Sequence, residues 1–408
     1  MLGVLNDIWQ GFLNCMTVLV KLFWVPFNTM PYAPTVYAVE DTYQIVWYTT
    51  AKSMAWAEIG GQRYYDAAAG NIRSGRKIHK VTVPMTILNA AKAYSIHARG
   101  MYIHHGYFAL KGRERSASYS FCPVDGVDGI RFQNISDTHN LPGGALRSAG
   151  YFGKRLDFVL LNGDIANGAG SRRELRKILE TAGAAAHGEI PVVYARGNHE
   201  NRGSRAAEME QYTGCTQEGN FYFEVRLGPV WLLVLDCGED KEDGHREYSG
   251  MVDFAIYRAR EEQWLDQVLA NPAESYQAPG VMYRILVSHV PFNVVGSPEP
   301  ERYTRWVEKI NGVGVDFAIA GHTHTCNFLE PGEPFSVPEK SFWGPENVSR
   351  YWTIIGSAPV DISGKHTKRH RAANRDFTTT AVEMQTDAVT AMFVNQDAAV
   401  CDEVEIAR

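Results

Sequence analysis

The 408-residue chain contains no CxxC pair, no internal repeat and no long low-complexity tract. Its six cysteines (Cys15, Cys122, Cys215, Cys237, Cys326 and Cys401) stand singly along the whole length, which excludes a small disulfide-stapled scaffold and reads as reduced core or loop thiols. Surplus charge is small, since 40 Lys and Arg against 46 Asp and Glu leave −6. The chain therefore lacks the global positive field that would hold nucleic acid or an anionic surface without specific contacts, and no specific nucleic acid is expected as a partner. What is present, 45% hydrophobic and 12% aromatic residues, excludes wholesale disorder, collagen and a polytopic membrane protein. The length suits two or three domains, each with a real core.

A basic secretory start is also missing, because Asp7 is the first charge; this points to the cytoplasm, with membrane association as the rival location. Residues 8–27 carry a single charge, Lys21. Asn6, Gln10, Asn14, Thr17 and Lys21 recur every three or four residues, which weakens a spanning helix and predicts an amphipathic N-terminal helix within residues 1–30. Such a helix docks on the protein's own domains, or serves peripheral membrane attachment or self-association through residues 1–27.

Between Pro34 and Phe121 no helical period of useful length occurs. Val36–Val39, Tyr43–Tyr48, Met54–Ile59, Lys77–Val83 and Ala93–Arg99 alternate, or run in β-branched and aromatic residues between Gly, Asn, Asp and Ser. They predict an all-β, fibronectin- or Ig-like sandwich over 31–123, in which His79 and His97 are structural, while His104 and His105 lie in a loop without chemistry. Beyond the PVDGVDG run at 123–129 the rhythm becomes strand, loop, helix, strand, which predicts an α/β domain over 124–408. Its helices include Ser171–His187, opened by a Ser cap with Glu174 three residues on, and Ala259–Leu269; strands return after Thr378.

Five buried-looking strands of this domain each end in a group able to bind metal. Ile130–Ile135 runs into Asp137 and His139, and Asp157–Leu161 into Asp164. Pro191–Ala195 runs into Asn198 and His199, Arg284–Val287 into His289, and Asp316–Ala320 into His322 and His324. In open α/β sheets the loops at the carboxyl ends of the strands face one crevice, so these residues can converge. The intervals of 27 residues from Asp137 to Asp164 and 34 from Asp164 to Asn198 are those of neighbouring βαβ units. The set is imidazole, carboxylate and one amide oxygen without thiolate; Cys326, two residues past His324, reads as a small buried hydrophobe. Such N and O donors suit Mn, Fe, Co or Zn and are too nitrogen-rich for Ca or Mg. Seven candidates are too many for one ion, and a carboxylate can bridge two.

DTH at 137–139, GD at 163–164, GNHE at 197–200, SH at 288–289 and GHTH at 321–324 together resemble the calcineurin-like metallophosphoesterase superfamily over about residues 130–360. The resemblance implies a four-layer αββα sandwich with two packed sheets between helices, a binuclear metal centre and a phosphoester substrate. By matching position it implies that Asp137, His139 and His324 bind the first metal, that Asn198, His289 and His322 bind the second, and that Asp164 bridges them. The preceding all-β part is similar in arrangement to purple acid phosphatases and their bacterial relatives. That subgroup has a tyrosine ligand three residues after the GD aspartate, where this chain has Asn167, and a glycine where it has His139, so no tyrosinate-to-iron colour is expected.

The chemistry expected of such a centre is attack on phosphorus by a hydroxide shared between two metals. His199 is expected to stabilise the transition state or protonate the leaving oxygen, and Glu200 to orient it. Asn140 and Arg196 are candidate substrate contacts or supports. A phosphomonoesterase is the leading expectation. A phosphodiesterase acting on nucleotides or lipid head groups, and a binding module with a vestigial metal site, are the alternatives. The acidic residues Asp236 and Glu239–Asp243 read as a surface loop, and KHTKRHR at 365–371 as a solvated basic loop.

Overall fold

The computed structural model describes residues 2–23, 28–66, 75–105, 108–295, 298–335, 346–356 and 378–408; the basic run at 365–371 lies outside them. Helix α1 (Leu2–Phe23) opens the chain, and among the described residues no helix is long and apolar enough to cross a membrane. The front half holds β1 (Thr35–Val39), β2 (Thr42–Ile59), β3 (Gln62–Tyr65), β4 (Arg76–Pro84), the short α2 (Met85–Ala91), β5 (Ala93–His105) and β6 (Phe108–Ser120). The two expected strands at 43–48 and 54–59 are one long strand. The amino-terminal part of β2 pairs with β1 and β4, its carboxyl-terminal part with β5 and β3, and the register breaks between Tyr48 and Ser53. A strand that changes partners at such an irregularity turns the corner between two layers. The backbone of His104 and His105 belongs to β5, not to a loop.

The second half alternates strand and helix: β7 (Ile130–Ile135), α3 (Gly143–Ser148), β8 (Phe158–Asn162), α4 (Arg172–Ala186), β9 (Pro191–Ala195), β10 (Phe223–Leu227), β11 (Val230–Leu235), α5 (Phe254–Ala270), β12 (Tyr283–Ser288), α6 (Pro300–Ile310) and β13 (Phe317–Ala320). β14 (Cys326–Leu329) and β15 (Trp352–Gly356) follow, then β16 (Thr379–Met384), β17 (Ala388–Val394) and β18 (Val400–Ala407). Ser171 caps α4 by accepting from the Glu174 amide, as its sequence predicts, and α5 begins five residues earlier than expected, at an Asp253 cap.

One sheet runs β18-β17-β16-β7-β8-β9-β1-β2-β5-β6, and the other β10-β11-β12-β13-β15-β14. The all-β front half is thus joined edge-on to the α/β half, through parallel pairing of Val36 with Pro191 and Tyr37 with Val192. Alternation along β11 explains the layering. Val230, Leu232 and Val234 enter the core between the sheets, whereas Trp231, Leu233 and Leu235 enter a second core with Leu265 of α5 and Tyr303 and Trp306 of α6. On the other side Leu175, Ile178 and Ala182 of α4 cover the first sheet. The architecture is the four-layer α/β/β/α sandwich preceded by an all-β segment.

Candidate metal centre

β7, β8 and β9 of the first sheet and β12 and β13 of the second all end at one edge of the sandwich, and the motif residues follow their last residues by one to four positions. The loops are tightly constrained. Among the described residues eleven non-glycine residues have positive φ, and six of them are Asp137 (54°), His139 (44°), Asn140 (70°), Asp164 (52°), His322 (70°) and His324 (57°). Left-handed backbone at such residues costs about 1 kcal/mol or more each, and persists where the surroundings overdetermine it, as at ligand clamps. The motif glycines allow close backbone approach: a Cβ on Gly163 would lie 2.5 Å from His289 Nδ1, and one on Gly197 2.2 Å from the Asp164 nitrogen.

The resulting cluster brings the seven expected ligands together. Donor atoms of Asp137, His139 and His324 lie within 4.8 Å of one another, as do those of His139, Asp164 and His199 and those of Asp164, His289 and His322. His139 Nε2 is 3.0 Å from His324 Nε2, and His324 Nε2 is 3.2 Å from Asp137 Oδ1. Asn198 Oδ1 is 3.1 Å from His322 Nδ1. The donor set fits cations on one further observation. His289 donates from Nδ1 to the Asn162 carbonyl at 2.7 Å, which turns the buried Nε2 toward Asp164 Oδ2 (3.4 Å) and Asp137 Oδ1 (4.0 Å). That Nε2 makes no hydrogen bond among the described residues. A ring held by one nitrogen with the other aimed at carboxylates is how a ligating histidine is presented.

Electrostatics within the cluster are strong. Burial alone would raise the carboxyls of Asp137 and Asp164, yet the facing His289, with His324 beside Asp137 and His199 beside Asp164, holds both below the usual carboxylate range. Burial would lower His289, but Asp164 and Asp137 push it up to about 10. At His139 burial prevails over the same carboxylates, and its imidazole drops to about 3.

Three expectations are corrected. Glu200, fully buried, does not orient the His199 ring; it accepts from the amides of Asp164 (2.9 Å), Gly197 (3.0 Å) and Ala166 (3.0 Å), tying the GD and GNHE loops together. Burial and then Asp164 push its carboxyl up to about 7. Arg196 is engaged away from any substrate, paired with Asp236 at 2.6 Å and stacked on Phe221 and Tyr257. The acidic run is not a solvated loop, since Asp236 and Glu239 are 1% and 0% exposed. Glu239 accepts from Asn198 Nδ2 (3.1 Å) and from Arg202 through Nε and Nη2 (both 2.9 Å). Asp240 Oδ2 sits 3.2 Å from His322 Nε2.

Sequence reasoning missed these two carboxylates and Arg202, which also donates from Nη1 to His199 Nε2 at 2.9 Å. His199 Nδ1 in turn lies 3.1 Å from the Asn167 carbonyl, so its partners assign Nδ1 as the donor and Nε2 as the acceptor. The available signal was position, for the run 236–240 follows the end of β11, a further strand ending at the same edge. Asn140, whose amide donates to the Ile165 carbonyl at 2.9 Å, keeps its Oδ1 without a hydrogen bond among the described residues.

Residues 130–326 match the family model of the calcineurin-like phosphoesterases. The chain carries a calcineurin-like phosphoesterase domain. Among solved structures it is similar to a purple acid phosphatase isolated from yellow lupin (Lupinus luteus) seeds, at 14% identity and a TM-score of 0.56, over 93% of this chain and 75% of that one. It is also similar to PhoD, at 13% identity and a TM-score of 0.51, over 94% and 90% of the two chains. At these identities the likeness is one of fold. No curated protein sequence is significantly similar to the chain. The calcineurin-like domain and its Asp/His clusters make the protein a metal-dependent hydrolase of phosphoric esters with a dinuclear site.

Proposed function

We propose that the protein hydrolyses phosphate monoesters with two ions drawn from Mn, Fe, Zn and Co. Asp137, His139 and His324 would hold one, Asn198, His289 and His322 the other, and Asp164 would be shared. The observation that carries this reading is the set of donor groups within 4.8 Å, which overlap at His139 and Asp164. When bound, such a pair supplies Lewis acidity toward water and the phosphoryl oxygens. His199 stands beside Asp164, with Nε2 3.8 Å from Oδ2. Because Arg202 donates to that nitrogen, His199 does not protonate a leaving oxygen from Nε2 while the contact lasts. Arg202, itself paired with Glu239 and Glu247, instead holds the His199 ring at the rim, where it would face the phosphoryl group. Asn140 would offer its side-chain amide N–H to a phosphoryl oxygen.

The test compares metal content and turnover of a nitrophenyl phosphate monoester with its bis ester, with and without Mn. Two metals per chain and monoester preference are expected. Diester preference would overturn the substrate assignment, and absence of both metal and turnover would leave a binding module.

A further inference from the structure

We propose that α1 and a cationic cavity beside its root form a docking surface for a membrane containing anionic phospholipids. Val4, Leu5, Ile8, Trp9, Phe12 and Met16 are 43–63% exposed. At 100° per residue they fall within an arc of about 140°, with Asn6, Gln10 and Asn14 opposite. The arc is broader than the two-position seam of a paired coiled coil. α1 carries only Asp7 and Lys21 as charges, so it offers little to select a second copy in register. A bilayer interface accepts that breadth, and Trp9, stacked on Phe12 at 5.8 Å, belongs to the residue type favoured there.

The charge lies where the chain enters the body of the protein. Asn28 donates to Ser53 Oγ (3.0 Å) and accepts from the Ala51 amide (3.2 Å), and Thr29 accepts from the Thr50 amide (3.0 Å). Lys52, between Ala51 and Ser53, lines a cavity of about 510 Å³ together with Tyr48, Arg76, Lys77, Arg172 and Arg176. No described carboxylate lines it, and the segment 67–74, which precedes Gly75, contains no acidic residue. Arg172 is paired with Glu208 and Arg176 reaches Glu180, whereas Lys52, Arg76 and Lys77 have no ion pair among the described residues. The cavity is therefore a local cationic site on a chain of net charge −6.

Phe23 and Asn28 are five residues apart, so the end of α1 lies within about 18 Å of this root. An apolar helix alone would bind neutral and anionic bilayers alike; the adjacent cations supply the preference. Marginal binding by one signal becomes stable when two are joined.

The full chain is sedimented with vesicles of phosphatidylcholine, or of phosphatidylcholine with phosphatidylserine. Tighter binding to the anionic vesicles, weakened by salt, is expected. Trp9→Glu with Phe12→Glu should abolish binding to both kinds. Lys52→Glu with Lys77→Glu should weaken only anionic binding, by about 25-fold or more at roughly fivefold per cation. Turnover of a soluble aryl phosphate and the melting temperature should stay as in the parent. Equal binding to both vesicles, no binding, or a lysine variant that keeps the anionic preference would overturn the proposal. So would a dimer in ultracentrifugation lost with Trp9→Glu/Phe12→Glu, or saturable binding of inorganic triphosphate, if found without vesicle binding.

Discussion

Asp240 offers the most discriminating perturbation of the metal centre. Its carboxylate lies 3.2 Å from His322 Nε2, leaving Nδ1 of the same ring beside Asn198 Oδ1 at 3.1 Å. A carboxylate behind a ligating imidazole fixes its tautomer and raises its basicity, and its loss lowers metal affinity about 10–100-fold. Asp240→Asn keeps the shape and removes the charge. In the metal-free protein it gives up a charge-assisted contact worth about 1–2 kcal/mol, because the carboxylate is mostly buried, with a side-chain exposure of 17%. The expected result is a chain that still folds, retains one ion with parental affinity, and binds the second about 10–100-fold more weakly. Equilibrium dialysis against Mn or Zn with metal quantification reads both affinities, and thermal melting reads the stability. If the variant takes up two ions with the parent's affinities, His322 is not positioned by Asp240 and the reasoning fails.

His199→Ala should keep both metals and lose about 10²–10³ in kcat, the loss typical of removing one polar group that faces the transition state; an unchanged kcat refutes the role. Glu239→Gln should destabilise the protein by about 2–3 kcal/mol, below the full cost of breaking a buried pair because Glu247 lies 3.2 Å from Arg202 and continues to neutralise it. A denaturant midpoint equal to the parent's would contradict that. Gly197→Ala should cost about 3 kcal/mol or more, because its Cβ would meet the Asp164 backbone nitrogen at 2.2 Å; parental stability would show that the loops can separate. Burial lowers the His79 imidazole below its ordinary 6.5, although Asp66 partly opposes this. The unfolded chain therefore binds a proton that the folded chain refuses, and stability falls as pH drops below about 6.5, by at most about 1.4 kcal/mol per unit. His79→Gln should remove that part of the slope in melts between pH 5 and 7, and an unaltered slope would place its origin elsewhere.

Several corrections share one cause. A charge's partner can lie far along the chain, so residue type and local spacing do not reveal it. Five acidic residues between 236 and 243 look like a solvated face, yet Arg202, Asn198 and His322 arrive from other loops as the partners of Glu239 and Asp240. Arg196 next to GNHE looked like a substrate contact until Asp236 and two aromatic rings were placed around it. Glu200 differs: its acceptors serve backbone amides, which no side-chain pattern encodes.

The order of the α/β strands, the cap of α4 and the identity of seven donor residues are properties of the amino-acid string, because they depend on period, local hydrogen bonding and residue type. Their convergence, the single sheet shared by the two halves, and the carboxylates behind Asn198 and His322 belong to the tertiary structure. Contacts between positions tens to hundreds of residues apart are decided by how the sheets pair and stack, and local sequence carries no trace of that choice.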